Sequence, residues 1–592
     1  MKTLVIVESP AKAATIKKYL GNNYDVIASY GHICDLAKGG KNGIGIDIRN
    51  GFKPNYHILK DKRDMLQNII TQAEQSKEIL LFSDEDMEGE AIAYHLQRYL
   101  SGTQKSIKRG IFSEITEKGI KQGLASLRDV DLKLVKAQEA RRILDRIVGF
   151  MVSPYLINFF GPNLSAGRVQ SVAVRMIVDR EKEILTFKPE EYWNVSTLFE
   201  FESNKFITKY DGKLKSKVET DKLIQATKDA SDFYVSKLQK TQKKEKPLPP
   251  LTTAKLQQYM AKKYGFDADK TMKSAQTLYE AGYTTYIRTD SVRISDEALK
   301  STRAWLLENK IDTPKVPNTY ATKSSAQDAH ECIRPTNLKT APNTPSLKGD
   351  DQKVYEAICN FFVASQMNPA IWNTVNVKVS SKSNKKLIFK ASGKSLEYEG
   401  YLKIFGAVDP GKIDIPNFPE NADVTLLPNS IKGEQKFTQP SPRFNKASIL
   451  KELEDKGIGR PSTYAEIIKK ISHRNYVELT GNTYKPTELG NKITNILMQS
   501  FNFMDYNYTA SLEQQLDEIA SGNLEQKNML GDFFKLFKTK LDEAYTKNGS
   551  PSCKQCGGHL IKRTNSKDNS QFIACDNYPN CSFTQTIERQ LE

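Results

Sequence analysis

Apolar and polar positions divide the chain into blocks of different period. Thr3–Val7 is a β-branched apolar run stopped by Glu8-Ser9-Pro10, and residues 11–20 follow with helical composition, so the chain opens as strand, turn and helix. Residues 78–82 form a second apolar run, acids follow it, and residues 90–100 predict another helix. This opening region is α/β, and in such sheets functional groups collect beyond the carboxyl ends of strands, where both Glu8 and the acids after Phe82 fall. Helical patterning holds over residues 132–183. Residues 190–237 alternate aromatic and β-branched positions, as in Tyr192-Trp193-Asn194-Val195, and predict a strand-rich module. Lys and Pro crowd residues 240–250, which read as a connector and hinge. A helical pattern returns at 253–282, a Pro/Gly/Lys-rich surface loop at 337–351, strands at 371–427 and helices at 446–547. The arrangement predicts one β module built from two distant segments with a further module inserted between them. No internal repeat is visible.

The 592 residues exceed what one hydrophobic core supports and imply several domains. With 39% hydrophobic and 27% charged residues the composition is that of a soluble globular chain. Residues 147–160 are the nearest approach to a membrane span, but Ser153, Pro154 and Asn158 interrupt them, so they read as buried helix and no membrane partner is expected. The start of the chain lacks a proper signal peptide, and a cytoplasmic protein is expected. Lys and Arg outnumber Asp and Glu by 87 to 70, a formal charge of +17 that favours a polyanionic partner.

Candidate chemistry lies in five places. Asp84, Asp86 and Glu88 alternate after an apolar strand, so a short extended turn can aim all three carboxylates one way and hold Mg2+, which prefers oxygen ligands. Tyr286, Arg288 and Asp290 share parity in the strand-like stretch 284–289, where a tyrosine hydroxyl can attack a phosphodiester whose charge the arginine offsets. His330 and Arg334, in Gln327-Asp328-Ala329-His330-Glu331-Cys332-Ile333-Arg334, can serve a leaving oxygen and a phosphate; the same pattern suits a capped helix start. Ser165-Ala166-Gly167-Arg168 and Gly457-Ile458-Gly459-Arg460-Pro461-Ser462-Thr463 combine Gly, Arg and hydroxyls that suit phosphodiester oxygens or a tight interhelical turn. Cys553-x2-Cys556 and Cys575-x5-Cys581 supply four thiolates for a structural Zn2+, while Cys34, Cys332 and Cys359 are scattered and form no disulfide framework. The Gly-rich stretch 39–43 lacks the Lys-Ser/Thr ending of a phosphate-binding loop, so nucleotide hydrolysis is not expected.

Taken in order, Leu4–Lys12, the acidic turn with Gly89-Glu90-Ala91-Ile92-Ala93, and residues 164–174, 278–291, 327–336 and 457–465 resemble the bacterial type IA DNA topoisomerases, over essentially the whole chain. The resemblance implies a multidomain α/β plus α+β toroid: a Toprim domain (1–125), a helical DNA-binding domain (126–188 and 443–547), a β-rich arch (189–250 and 368–442), a tyrosine domain (251–367) and a four-Cys zinc ribbon (551–586). It implies an ATP-independent, Mg2+-dependent isomerase in which Tyr286 forms a 5′-phosphotyrosyl link, Glu8 transfers a proton, and Lys12 and Arg288 contact the phosphate. Asp84 and Asp86 would hold the metal with Glu8 and Glu88, and His330 would assist the tyrosine. Arg141, Arg168, Gln170, Asp290, Arg334, Arg460, Ser462 and Thr463 would face DNA. The expected substrate is a single-stranded segment in negatively supercoiled duplex, acted on by a nucleoid-associated monomer with RNA polymerase or other DNA-processing proteins as partners. A decatenase of the topoisomerase III type and a catalytically impaired single-strand-binding protein are the alternatives. One departure stands out: the family carries Arg where this chain has Met87.

Overall fold

A computed structural model describes residues 1–38, 44–162, 164–321, 330–406, 415–565, 568, 570–578 and 581–586. The Gly-rich stretch 39–43 and Gln327, Asp328 and Ala329 of the His330 motif lie outside them.

The opening α/β region is a four-stranded parallel sheet in the order Tyr24–Ala28, Thr3–Val7, Ile79–Leu81, Ile107–Arg109. Thr3–Val7 is central, so its side chains alternate between two buried faces. Leu4 and Ile6 pack on one side with Leu81, Ile92 and Leu96. Val5 and Val7 pack on the other with Leu80, Phe82, Leu278, Tyr279, Tyr286 and Ile287. The tyrosine segment therefore shares a core with the sheet whose strand ends carry the acids.

A seven-stranded antiparallel sheet draws its strands from two distant stretches, 191–245 and 370–437. The tyrosine segment lies in the insertion between them, as the patterning predicts. The connector is shorter than predicted: residues 240–245 continue the strand Phe233–Glu245 and pair in register with Ala370–Ser381 down to Glu245↔Ala370. Lys240 to Lys244 are exposed, so the lysine content there reflects an uncovered end of sheet rather than a loop.

The largest core joins the helices Leu132–Phe160, Arg168–Thr186, Tyr464–His473, Tyr506–Ser521 and Gln526–Lys547. Leu132–Phe160 runs unbroken through Pro154 and is long and apolar enough to cross a bilayer, but it buries Ala137, Ile143, Leu144, Val148 and Leu156 in this core. A hairpin, Val477–Thr480 with Thr483–Pro486, interrupts a region that reads as wholly helical in sequence, because four-residue strands are too short to impose a period. A three-stranded ribbon, Leu560–Thr564, Gln571–Cys575 and Thr584–Thr586, follows.

Candidate active site and metal centres

The acids are set by strand ends. Glu8 follows Thr3–Val7 and Asp84 follows Ile79–Leu81, and the Glu8 carboxylate accepts from the Asp84 amide at 2.9 Å. Lys12, fully buried, donates to Asp84 at 2.5 Å and Glu8 at 3.4 Å, and lies over the Tyr279 ring at 5.4 Å. Lys12 therefore joins the carboxylates of Glu8 and Asp84 in one buried ion-paired cluster. The turn itself is fastened by the buried Arg109, which donates to the carbonyls of Leu81, Ser83, Gly110 and Asp84 and pairs with Glu90. Gly89 completes the fit, since a Cβ there would stand 2.2 Å from the Asp84 carbonyl oxygen.

Asp86 caps the helix Met87–Leu100, its Oδ1 accepting from the Gly89 amide at 2.9 Å. That leaves Oδ2 to face the tyrosine segment, where the Tyr286 hydroxyl donates to it at 2.5 Å and the Arg288 guanidinium lies at 3.4 Å. Burial opposes ionisation of Asp86, but Arg288, the Tyr286 hydroxyl and the Gly89 amide hold it below the ordinary carboxylate range. Tyr286 is 2% exposed; burial and the Asp86 and Asp84 carboxylates push its phenol well up, so in this arrangement the hydroxyl keeps its proton. The ring of His330 stands 6.1 Å from that of Tyr286, and burial lowers its basicity against the pull of Asp86 and Asp290.

Glu88 faces a different set of partners, His32 at 2.7 Å and Gln138 at 3.1 Å. Burial, then Glu8, pushes Asp84 up; burial, then Asp84 and Asp86, pushes Glu85 up to about 8. Mutually repelling carboxylates are a set of hard oxygen donors whose chemistry suits Mg2+. In the ribbon, the Sγ atoms of Cys553, Cys556, Cys575 and Cys581 lie within 4.8 Å of one another, Cys553 to Cys581 at 3.7 Å. Tetrahedral Zn2+ with Zn–S bonds of about 2.3 Å sets sulfurs about 3.8 Å apart, so the four thiols fit it.

A small cavity of about 50 Å³ joins the acid turn to the rest of the site, lined by Met87, Arg288, Asp290, His330, Ser462 and Asp517 among others. A larger groove of about 1140 Å³ holds Gln170 and Thr463 with Arg142, Arg146, Phe150 and Lys470. Three arginines expected at DNA converge on the buried Glu513: Arg168 at 2.6 Å, Arg141 at 2.9 Å and Arg460 at 3.8 Å; Arg141 and Arg168 also line the groove and Arg460 the small cavity. Arg168 also pairs with Asp145 at 3.1 Å and Arg460 with Asp517 at 2.5 Å. Arg168 is 1% exposed, so it shapes the groove wall and spends its charge inside the fold. Arg334 ties the two halves of the site together, pairing with Glu331 at 2.7 Å and with Glu114, next to the sheet region, at 3.0 Å. The segment 284–289 is extended but not a regular strand. It is held by isolated bridges Glu114↔Thr285 and Thr284↔Pro335 and by the Tyr286 amide donating to the Ser113 carbonyl at 2.7 Å.

Sequence patterning alone does not reach Arg109, His32, Gln138 or Glu513. Glu513 sits in a helical Leu-Glu-Gln-Gln run that looks like any solvated face, and Arg109 is one more cation after a three-residue strand.

Comparison with known proteins places these features in context. A family model described as DNA topoisomerase matches residues 129–531, a Toprim domain model matches 3–115, and a topoisomerase DNA-binding C4 zinc-finger model matches 551–590. The chain is 38% identical to DNA topoisomerase 1 of Campylobacter jejuni, over all of this chain and 87% of that protein. Its structure is similar to that of full-length topoisomerase I from Thermotoga maritima, with a TM-score of 0.81 and 34% identity over 99% of this chain and 97% of the other.

Proposed function

The chain belongs to the bacterial type IA DNA topoisomerases, and we propose that it breaks and rejoins one DNA strand through Tyr286. The observation that carries this assignment is the 2.5 Å hydrogen bond from the Tyr286 hydroxyl to Asp86, flanked by Arg288. The tyrosine oxygen attacks the scissile phosphorus as its proton is lost to water, and a 5′-phosphotyrosyl ester forms as the 3′-oxygen leaves with a proton from Glu8. Arg288 offsets the phosphate charge and His330 donates a hydrogen bond to a phosphate oxygen. Resealing reverses each transfer, so the ester conserves the energy of the broken bond and no nucleotide is consumed.

Glu8, Asp84, Asp86 and Glu88 would hold Mg2+, which when bound supplies positive charge against the phosphate oxygens and the crowded carboxylates. Lys12 keeps Asp84 and Glu8 in place. Cys553, Cys556, Cys575 and Cys581 would hold structural Zn2+.

The single strand is read as lying in the groove beside Gln170 and Thr463, with Ser462 and Asp290 nearer the cut and Arg334 bracing the tyrosine segment. Arg141, Arg168 and Arg460 reach DNA as part of the groove wall organised by Glu513. The same reading gives a Toprim domain over 1–125, a helical domain over 126–188 and 443–547, an arch over 189–250 and 368–442, a tyrosine domain over 251–367 and a ribbon over 551–586. The enzyme then relaxes negatively supercoiled DNA of the nucleoid as a monomer; that state and an association with RNA polymerase or other DNA-processing proteins rest on family resemblance.

Wild type and Tyr286→Phe are to be incubated with negatively supercoiled plasmid without ATP, with and without Mg2+. Topoisomer ladders from wild type with Mg2+ only are expected. Relaxation by Tyr286→Phe would refute the nucleophile.

A further inference from the structure

The uncovered face of the seven-stranded sheet carries a pattern that the strand-breaking site does not use. Cross-strand register places Lys237 opposite Lys378, Lys378 opposite Lys390, and Lys390 opposite Lys209, so four lysines stand in one row across four adjacent strands. Residues paired in register point to the same face. The other face is the core, where Val235, Val379 and Phe389 occupy neighbouring paired positions. The row next to the lysines on the open face is Gln239, Asn376 and Ser392, and a depression of about 400 Å³ runs between the two rows.

Like charges directly opposite one another destabilise a sheet. Asp211 relieves part of this, pairing with Lys390 and, at 3.7 Å, with Lys378. Four lysines and one aspartate still leave a formal +3 on this patch, and Lys378 and Lys390 remain 42% and 49% exposed. We propose that this lysine row is a second DNA-binding surface, which grips the phosphate backbone of duplex DNA away from the cleavage groove.

Charge complementarity and spacing select the duplex. Strands about 4.8 Å apart spread four amines over about 14 Å, and a duplex offers one charge for about every 1.7 Å of its axis. A single strand is held by aromatic platforms as well as by charge. The paired positions of the two rows hold Lys, Gln, Asn and Ser; of the rings near them, Tyr234, opposite Ser380 on the far side of the lysines, has the Lys382 amine 5.7 Å over its ring, and Trp372 is 4% exposed with the Lys394 amine 3.3 Å above its ring. The groove beside Gln170, by contrast, carries Phe150 and His473.

The inference rests on DNA being the substrate but not on the assignment of Tyr286. Its test is the full-length variant with Lys209→Gln, Lys237→Gln, Lys378→Gln and Lys390→Gln, bound to a blunt duplex over a salt series. Each phosphate contact contributes about 0.9 to the slope of log K against log salt, so the loss of the patch's net three charges is expected to lower the slope by about 2.7. Covalent trapping of a short single-stranded oligonucleotide is expected to match wild type. The variant should melt close to wild type, because relief of the lysine repulsion offsets the loss of the exposed Asp211 pairs. An unchanged duplex slope overturns the proposal. So does a loss confined to single-stranded DNA, which would make the row a single-strand surface. Failure of the wild type itself to trap the oligonucleotide would count against the Tyr286 assignment and leave the duplex measurement standing.

Discussion

Replacing Glu513 by Gln removes the carboxylate that Arg141, Arg168 and Arg460 share, with almost no change of volume. After the exchange Arg168 keeps Asp145 at 3.1 Å and Arg460 keeps Asp517 at 2.5 Å. Arg141 has Glu513 as its ion-pair partner, and its second terminal nitrogen is already buried without a hydrogen bond. The three guanidiniums outweigh the cost of burial and hold the Glu513 carboxyl down to about 2 against an ordinary 4.5. That gap corresponds to about 3 kcal/mol near neutral pH. It agrees with the about 3–5 kcal/mol typical of breaking one side of a buried ion pair. A chain of several domains has no single unfolding energy, so the assay is hydrogen exchange read in the helices Leu132–Phe160 and Tyr506–Ser521. A loss of about 3 kcal/mol lowers their protection by about 100-fold. The sign with pH is fixed by the lowered pKa: the contribution is complete above about pH 4.5 and fades as pH falls toward 2, so wild type should converge on the variant in acid. A loss of protection below about tenfold, or a gap between the two proteins that persists at low pH, would refute the reasoning.

Gly89→Ala drives a methyl toward the Asp84 carbonyl and tilts the acid turn; covalent trapping should fall by about tenfold or more while anisotropy shows unchanged oligonucleotide binding, and equal trapping would count against the fit argued for the turn. Met87→Arg sets a cation beside Asp86, Asp290 and Asp517; the Mg2+ dependence of relaxation should shift, and an identical titration and rate would mean that this position does not tune the acids. Cys575→Ser or chelation should unfold the ribbon and free the face where His559 stacks on Tyr545 at 4.9 Å. Limited proteolysis should then cut after about residue 549 and leave the preceding helices intact, and a ribbon that resists digestion would show that it folds without metal.

Fold and chemistry were legible to different depths in the sequence. Strand ends announce themselves: the apolar run Thr3–Val7 and the stretch 78–82 each stop at acids, and both sets meet in the structure. The insertion of the tyrosine segment into a two-part sheet was legible as well, because its strands keep a period of two on either side of a helical block. Partner choice was not. Parity groups Tyr286, Arg288 and Asp290, yet only tertiary packing brings Asp86 rather than Glu8 to the tyrosine hydroxyl. Arg168 looks the same in sequence whether it meets a phosphate or a carboxylate 345 residues away. Lysines at 240–244 suggested a loop because composition does not record pairing, and the pairing with residues 371–375 makes them strand.

That pairing has a mechanical consequence. The chain leaves the sheet for the tyrosine segment after Glu245 and re-enters it at Ala370, and these two residues are cross-strand partners. The tyrosine segment is thus carried on a stalk of two adjacent strands rather than on one linker. A single linker lets its load spin about the bond; two strands hydrogen-bonded side by side permit bending and resist twist. On the proposed mechanism, a DNA end esterified to Tyr286 would be swung aside on such a stalk but not rotated freely, so the number of strand crossings would change in counted steps instead of running down through a loose end.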